Sequence, residues 1–127
     1  MSESTKCFFC SLPKERVWLE TDHSIAFLDG YPVSEGHALV IPKRHSPILH
    51  DLPANELNDV WALVAKVRGL LKEKHNPDGF NIGVNEGEAA GQTINHAHVH
   101  IIPRRKGDVQ DPRGGVRWVI PDKAKYW

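Results

Sequence analysis

Three histidines alternate with apolar residues in the seven-residue run from His96 to Ile102. Side chains point to opposite faces along a strand, so an extended run would place His96, His98 and His100 on one face. The pattern therefore predicts a strand over residues 95–102 with an apolar face that packs on a core. Three imidazoles on the other face indicate chemistry, because histidine serves as base, nucleophile or metal ligand near neutral pH. The alternative is an exposed strand face without a function.

Four other segments have the short, β-branched and aromatic composition that is typical of strands. They cover residues 16–20, 24–28, 37–42 and 80–84, and a turn over residues 21–23 joins the first two as a hairpin. Residues 116–120 are a candidate for a last short strand.

From Asp51 onward the apolar residues recur at spacings of three and four, which predicts a helix with one apolar stripe. The run Asn76–Gly79 contains proline and glycine and ends this helix. About five strands and one long helix predict an α+β fold, with a mainly antiparallel sheet and the helix on one face. The stripe consists of Leu57, Val60, Trp61, Val64, Val67 and Leu71.

The composition is that of a single folded domain. The chain has 127 residues, of which 40% are hydrophobic and 25% charged, so we expect a soluble globule rather than a disordered chain. Sixteen basic residues balance sixteen acidic ones, which argues against a protein that coats nucleic acid or a membrane surface. No apolar run reaches the ~20 residues of a membrane span and no secretion signal is evident, so we expect a cytoplasmic location.

Residues 104–115 are polar and rich in glycine and proline, which predicts a mobile C-terminal segment from about residue 104. The basic run Arg104–Lys106 at its start is suited either to steering an anionic ligand or simply to solvation. We expect His23, His50 and His75 on the surface, because they fall in predicted turns or near helix ends.

The loop before the histidine run contains groups that an anion-binding site needs. Gly91 allows the backbone to approach a ligand closely, and Gln92 and Thr93 offer side-chain donors. Taken alone, however, the loop is explained equally well as a connecting turn.

The histidine run resembles the His-φ-His-φ-His-φ-φ signature of the histidine triad (HIT) superfamily, where φ is an apolar residue. Upstream blocks resemble the family pattern in the same order and spacing, so the resemblance covers about residues 7–103. It implies a HIT-like α+β fold, with residues 1–127 as a single HIT domain. The upstream blocks are residues 26–29, 36–45 and 84–87, followed by Gly91–Thr93.

Members of this superfamily bind a nucleotide and act at its α-phosphorus through a covalent nucleotidyl-histidine. The resemblance therefore implies a nucleotidyl hydrolase or transferase that cleaves dinucleoside polyphosphates of the diadenosine tetraphosphate kind. Two alternatives stay open: a phosphoramidase that acts on nucleoside 5′-phosphoramidates, and a nucleotide-binding module without catalysis. The implied partners are the nucleotide and a second copy of the chain in a homodimer, with no nucleic acid and no membrane. The tail over residues 111–117 resembles that of prokaryotic members labelled dinucleoside polyphosphate hydrolases.

The resemblance also implies a role for each matching residue. His98 is the expected nucleophile, because neutral imidazole attacks without prior deprotonation, and the main-chain carbonyl of His96 is expected to accept from its other nitrogen. His100 and His37 are expected to surround the phosphate. The expected substrate contacts are Asp29 with the ribose hydroxyls, Asn85, Gln92 and Thr93 with the phosphate chain or leaving group, and Phe27 near the base. Without the resemblance, a turn explains Asp29 and a satisfied strand histidine explains His37.

Cys7 and Cys10 have the two-residue spacing of a zinc half-site or of a redox dithiol. A redox dithiol usually opens a helix in a βαβ setting, which the residues after Cys10 do not suggest. Two reduced thiols without a metal are a third possibility. The resemblance to prokaryotic HIT proteins implies His45 and His96 as the other two ligands of a structural Zn²⁺ site.

Overall fold

A computed structural model describes residues 7–127 and contains a five-stranded antiparallel sheet. The strands lie in the order β1-β2-β3-β5-β4, so the last strand of the chain pairs between β3 and β4. This arrangement confirms the α+β fold expected from the sequence. The strands are β1 (Val17–Glu20), β2 (Ser24–Leu28), β3 (Ala38–Pro42), β4 (Gly79–Val84) and β5 (Val99–Arg104).

The long helix α1 (Ala54–His75) packs on one face of this sheet. It ends where the sequence predicts, because Asn76 adopts a left-handed conformation and its N–H donates to the Lys72 carbonyl. One member of the predicted stripe is misplaced: the Trp61 side chain is 37% exposed and lies beside the His50 ring. Val60 precedes it directly and takes the buried position, since adjacent helical residues are about 100° apart.

The opposite face of the sheet carries a second apolar cluster made of Phe27, Leu39, Ile41 and Phe9. Phe27, Leu39 and Ile41 alternate with residues that face α1, so they must point away from the helix. Phe9 belongs to a short 3₁₀ turn before β1 that packs over this face. All five residues of β3 are buried because both of its faces are covered.

The predicted strand over residues 95–102 begins later than expected, at Val99, and continues to Arg104. Residues 94–98 run as bends and coil, because the Ala97 N–H donates to the Ser46 carbonyl in a loop rather than to a neighbouring strand. His96 and His98 therefore precede β5, and only His100 of the three histidines lies within it.

The candidate strand over residues 116–120 is wrong. Gly115–Val119 forms a 3₁₀ helix, and the short helix α2 (Pro121–Ala124) follows it. Gly114 and Gly115 have positive φ, which diverts the chain from an extended path. Mobility of the segment after residue 104 stays a prediction. Within residues 7–127, no helix has the length and apolar character that crossing a membrane requires.

Candidate active site and metal site

A pocket of about 790 Å³ opens on the face of the sheet opposite α1. His98 and His100 form part of its wall, with their ring centroids 5.2 Å apart. His100 reaches this face because β5 pairs it with Leu39 of β3. The structure thus brings two of the three alternating histidines to one cavity.

His98 is held by a main-chain group, as the sequence analysis expects. Its Nδ1 lies 2.9 Å from the main-chain oxygen of His96, and because a carbonyl only accepts, Nδ1 carries the proton. Its Nε2 then has the free lone pair of a neutral imidazole. His98 is only 8% exposed but borders the pocket, so a bound ligand can reach this nitrogen.

His37 lies behind His100 rather than in the wall of the pocket. Its side chain is buried, and its Nε2 lies 3.0 Å from Nδ1 of His100. The Val33 N–H donates to Nδ1 of His37 at 3.1 Å, so the remaining proton of neutral His37 is on Nε2 and is donated to His100. His100 in turn keeps its own proton on Nε2, where it is available as a donor.

Burial keeps these rings neutral. It lowers the pKa of His100 to about 4, and the nearby His98 and His37 add to this effect. Burial also lowers the pKa of His37, against the opposing attraction of the Asp29 carboxylate. At neutral pH both rings therefore donate and accept hydrogen bonds without carrying charge.

Asp29 lines the pocket, and its side chain has two contacts, of which the first fits the turn and neither tests the expected contact with ribose. Its Oδ1 accepts from the Tyr31 N–H at 2.9 Å, as in a turn that starts with aspartate. Its Oδ2 lies 3.4 Å from Nε2 of His37. The same carboxylate thus shapes the loop after β2 and joins the histidine network.

The predicted phosphate-side residues separate into two groups. Asn85 and Thr93 line the pocket, together with Gly91, whose φ of 91° requires glycine. Gln92 does not line it. Its Nε2 donates to the Pro47 and Ile94 carbonyls and its Oε1 accepts from Gly87, so this side chain holds the loop together.

The apolar end of the pocket contains the predicted Phe27 and three residues that the sequence analysis missed: Phe8, Phe9 and Arg16. The centroid of the Phe9 ring lies 5.3 Å from that of the His98 ring and 5.5 Å from that of the Phe27 ring. Phe8 and Phe9 lie between the two cysteines, and this apolar pair was the sequence feature that could have predicted their place in the pocket. Arg16 lies at the end of a polar run, and no feature of the sequence distinguishes it as a pocket residue.

Four predicted metal ligands converge outside this pocket, and their ligating atoms all lie within 4.8 Å of one another. Sγ of Cys10 lies 3.1 Å from Nδ1 of His45 and 3.4 Å from Nδ1 of His96, and Sγ of Cys7 lies 3.5 Å from the latter. The edges of a tetrahedral Zn²⁺ site have similar lengths of about 3.5 Å, given Zn–S and Zn–N bonds of about 2.3 and 2.0 Å.

The chemistry of these donors also suits a metal ion. Nε2 of His96 donates to the Pro42 carbonyl at 2.8 Å, which leaves Nδ1 unprotonated and facing the thiols. His45 also turns its Nδ1 toward the thiols, although its Nε2 is buried without the hydrogen-bond partner that His96 has, among residues 7–127. Burial, with the hydrogen bond and charge of Cys7, raises the pKa of Cys10 to about 11, whereas a bound cation would favour its thiolate.

The three histidines expected on the surface differ from one another. His50 is exposed, but His23 and His75 are half-buried. Nδ1 of His75 lies 3.2 Å from a carboxylate oxygen of Glu35, which explains its partial burial at the end of α1.

The comparisons with known proteins agree with this geometry. A family model described as the HIT domain matches residues 13–107. The chain is 41% identical over 105 residues to a bis(5′-nucleosyl)-tetraphosphatase (asymmetrical) of Schizosaccharomyces pombe, a match that covers 82% of this chain and 58% of that protein. This chain therefore spans little more than half the length of that relative.

Two further matches are similar in extent. An adenosine 5′-monophosphoramidase of Candida albicans is 35% identical over 113 residues, with 83% of this chain and 74% of that protein covered. The crystal structure of a Zn-bound histidine triad family protein from Mycobacterium smegmatis superposes with a TM-score of 0.75 at 36% identity, over 85% of this chain and 81% of that one. By sequence and by fold, the chain belongs to the HIT family.

Proposed function

We propose that this protein is a nucleotidyl hydrolase that cleaves dinucleoside polyphosphates at the α-phosphorus. The observation that carries the proposal is the state of His98: its Nδ1 proton is committed to the His96 carbonyl, and its free Nε2 borders the pocket. A relative is named as an asymmetrical bis(5′-nucleosyl)-tetraphosphatase, which supports this substrate class.

The first step forms a bond between Nε2 of His98 and the α-phosphorus and breaks the bond to the bridging oxygen, which leaves with its electron pair on the polyphosphate. The hydrogen bond to the His96 carbonyl stabilises the positive charge that the attacking ring acquires. In this proposal Nε2–H of His100, which borders the same pocket, donates to a non-bridging phosphate oxygen. Water then attacks phosphorus, the P–N bond electrons return to His98, and a nucleoside monophosphate leaves with loss of a proton.

A second candidate is a phosphoramidase that uses the same nucleophile and expels an amine instead of a phosphate chain. The relative named as an adenosine 5′-monophosphoramidase supports it. Turnover of diadenosine tetraphosphate and of adenosine 5′-phosphoramidate under identical conditions would distinguish the two activities by their kcat/KM values.

The test of the mechanism is substitution of the nucleophile. We expect His98→Ala to lower kcat about a thousandfold or more and to abolish a labelled protein–nucleotide adduct that quenching in alkaline denaturant traps in the wild type, since the P–N bond is labile in acid. His50→Ala is the matched control, because His50 is exposed and does not line the pocket. Unchanged turnover in His98→Ala would contradict the mechanism, and nucleotide binding without any turnover in the wild type would identify a binding module.

We further propose that Cys7, Cys10, His45 and His96 hold a structural Zn²⁺ ion. A Zn-bound family member of known structure and the convergence of the four donor atoms support this assignment. When bound, the ion would tie the chain before β1 to the loops that precede α1 and β5 and would supply no chemistry to the substrate.

The protein is also proposed to act as a homodimer in the cytoplasm, without nucleic acid or membrane partners. β4 is an edge strand of the sheet and exposes Ile82, and the C-terminal segment exposes Val116, Val119 and Ile120. Apolar side chains at a sheet edge support association with a second copy, because pairing would cover them. Sedimentation velocity of the purified chain would measure whether it is a dimer.

A further inference from the structure

Arg16 lies in the wall of the pocket and has no role in the function described so far. Its Nη2 donates to the Leu28 carbonyl at 2.9 Å, and its guanidinium lies 5.7 Å from the Phe27 ring centroid and 5.9 Å from that of Phe8. These contacts fix the position of the charged group but use one hydrogen bond of the five N–H donors. Among residues 7–127, no carboxylate forms an ion pair with it.

The space beside this guanidinium is kept open by Gly30. A Cβ there would lie 3.6 Å from Nη2 of Arg16. Gly30 does not have the positive φ that would require glycine, so its backbone does not explain the residue. Because Gly30 has no side chain, this side of the guanidinium stays accessible from the pocket that both residues line.

A series of ring contacts defines where Arg16 lies along the pocket. His98 contacts Phe9 at 5.3 Å, Phe9 contacts Phe27 at 5.5 Å, and Phe27 contacts Arg16 at 5.7 Å. Two phenylalanine rings thus lie between the ring of His98 and the guanidinium of Arg16 in this series of contacts. A nucleotide with phosphorus at His98 and ribose at Asp29 would extend its base along these rings toward Arg16.

We propose that Arg16 is a specificity-determining residue that selects a purine with two acceptors on its exposed edge, O6 and N7. This proposal depends on the proposed function only for the orientation of the nucleotide. The fork of the guanidinium matches O6 and N7 of guanine or hypoxanthine, whereas adenine presents an amino group in place of O6. The adjacent phenylalanine rings provide apolar contact for either purine and so do not discriminate.

Equilibrium binding of GMP, IMP and AMP by calorimetry tests the assignment without requiring turnover. We expect wild-type protein to bind GMP and IMP about tenfold more tightly than AMP, and Arg16→Met to bring all three dissociation constants to within about twofold. IMP separates O6 from the 2-amino group, which guanine alone carries. Arg16→Lys keeps the charge without the fork and is expected to lose most of the preference.

Arg68→Met is the matched control. Arg68 also lies over a phenylalanine ring, Phe80 at 5.1 Å, but on α1 and outside the pocket. It should leave the three dissociation constants unchanged. Thermal unfolding of each variant verifies that Arg16→Met is folded, and Arg16→Lys provides a second measurement at the same position.

Equal affinities in the wild type, a preference for AMP, absence of binding by all three nucleotides, or an unchanged preference in Arg16→Met would each overturn the assignment. Its failure is distinguishable from failure of the proposed function. Hydrolysis that depends on His98 but proceeds at equal rates for guanine and adenine nucleotides contradicts only the role of Arg16. The expected binding pattern without any hydrolysis contradicts only the enzymatic function.

Discussion

Main-chain groups determine which ring nitrogen is available in His37, His96 and His98. The Pro42 carbonyl binds Nε2 of His96, the His96 carbonyl binds Nδ1 of His98, and the Val33 N–H binds Nδ1 of His37. Each contact uses one ring nitrogen in a hydrogen bond to the main chain. The other nitrogen faces the proposed metal in His96, the pocket in His98 and the His100 ring in His37. The backbone therefore fixes the tautomers before any ligand binds.

Loss of the Val33 N–H should disturb the histidine pair behind the pocket. Proline at this position has no N–H to donate, so His37 is no longer held with its proton on Nε2 and its hydrogen bond to His100 is weakened. We expect Val33→Pro to lower kcat about tenfold, as is typical of contacts that orient a functional histidine. The check is steady-state kinetics together with the ¹⁵N chemical shifts of the His100 ring.

Val33→Ala keeps the N–H and serves as the control, with kcat and ring shifts expected to match the wild type. Unaltered His100 shifts and unaltered kcat in a folded Val33→Pro protein would refute the relay from the backbone through His37.

The sequence alone predicted His98, His100 and Asp29 as site residues, because their neighbours in the chain carry a recognisable pattern; all three line the pocket, and their roles stay predictions. The sequence analysis placed His37 against the phosphate and Gln92 in the site, whereas the structure places His37 behind His100 and uses Gln92 within its loop. Both differences depend on partners remote in sequence or on loop geometry. A side chain's direction in such a place follows from tertiary contacts that local spacing does not contain.

At the scale of elements, periodicity predicted the helix and the strands to within a few residues, but not where the histidine strand begins. Alternation of apolar and polar residues is necessary for a half-buried strand, but a strand also needs a partner with free hydrogen-bonding groups. β3 pairs with β5 only over Val99–Ile101, and Ala97 donates to Ser46 instead. Residues 96–98 have the pattern of a strand without the partner.

The hairpin of β1 and β2 is joined to α1 through one carboxylate. Oδ2 of Asp59 accepts from the Thr21 hydroxyl and, at 2.7 Å, from the hydroxyl of the fully buried Ser24. Burial acts to raise the pKa of Asp59, but these hydrogen bonds outweigh it and the net pKa is lowered. The ionised carboxylate is therefore the form that the fold stabilises.

Removal of this carboxylate should weaken the attachment of the hairpin to the helix. We expect Asp59→Ala to lower the free energy of unfolding by about 1–3 kcal/mol at pH 7, because the Ser24 hydroxyl stays buried without its acceptor. Because the folded pKa is below the unfolded one, the contribution is complete above about pH 4 and is lost as pH falls through the folded value. Urea unfolding at pH 7 and at pH 3 measures both effects.

Asn58→Ala changes the exposed neighbour on the same helix and should alter stability by less than about 0.5 kcal/mol. Equal stabilities of Asp59→Ala and this control at pH 7 would show that the carboxylate does not join the two elements.

At the scale of the whole molecule, the candidate metal site and the pocket share one residue. The His96 side chain faces the two cysteines, while its main-chain oxygen accepts from Nδ1 of His98. Phe9, between the cysteines, also contacts both of these rings. Any displacement of the segment that carries Cys7 and Cys10 would therefore move the support of the expected nucleophile.

Removal of the proposed Zn²⁺ should consequently lower both stability and activity. Freshly purified protein is expected to contain about one zinc per chain, and a strong chelator should lower Tm by about 5 °C or more, since the ion binds only the folded donors. kcat should fall more than KM rises, because the change reaches His98 through the His96 carbonyl and leaves Asp29 in place. Cys10→Ser should reproduce both losses and respond no further to the chelator. A wild-type protein that holds no zinc, or whose Tm and kcat are indifferent to chelation, would show that the four converging residues support the pocket by packing alone.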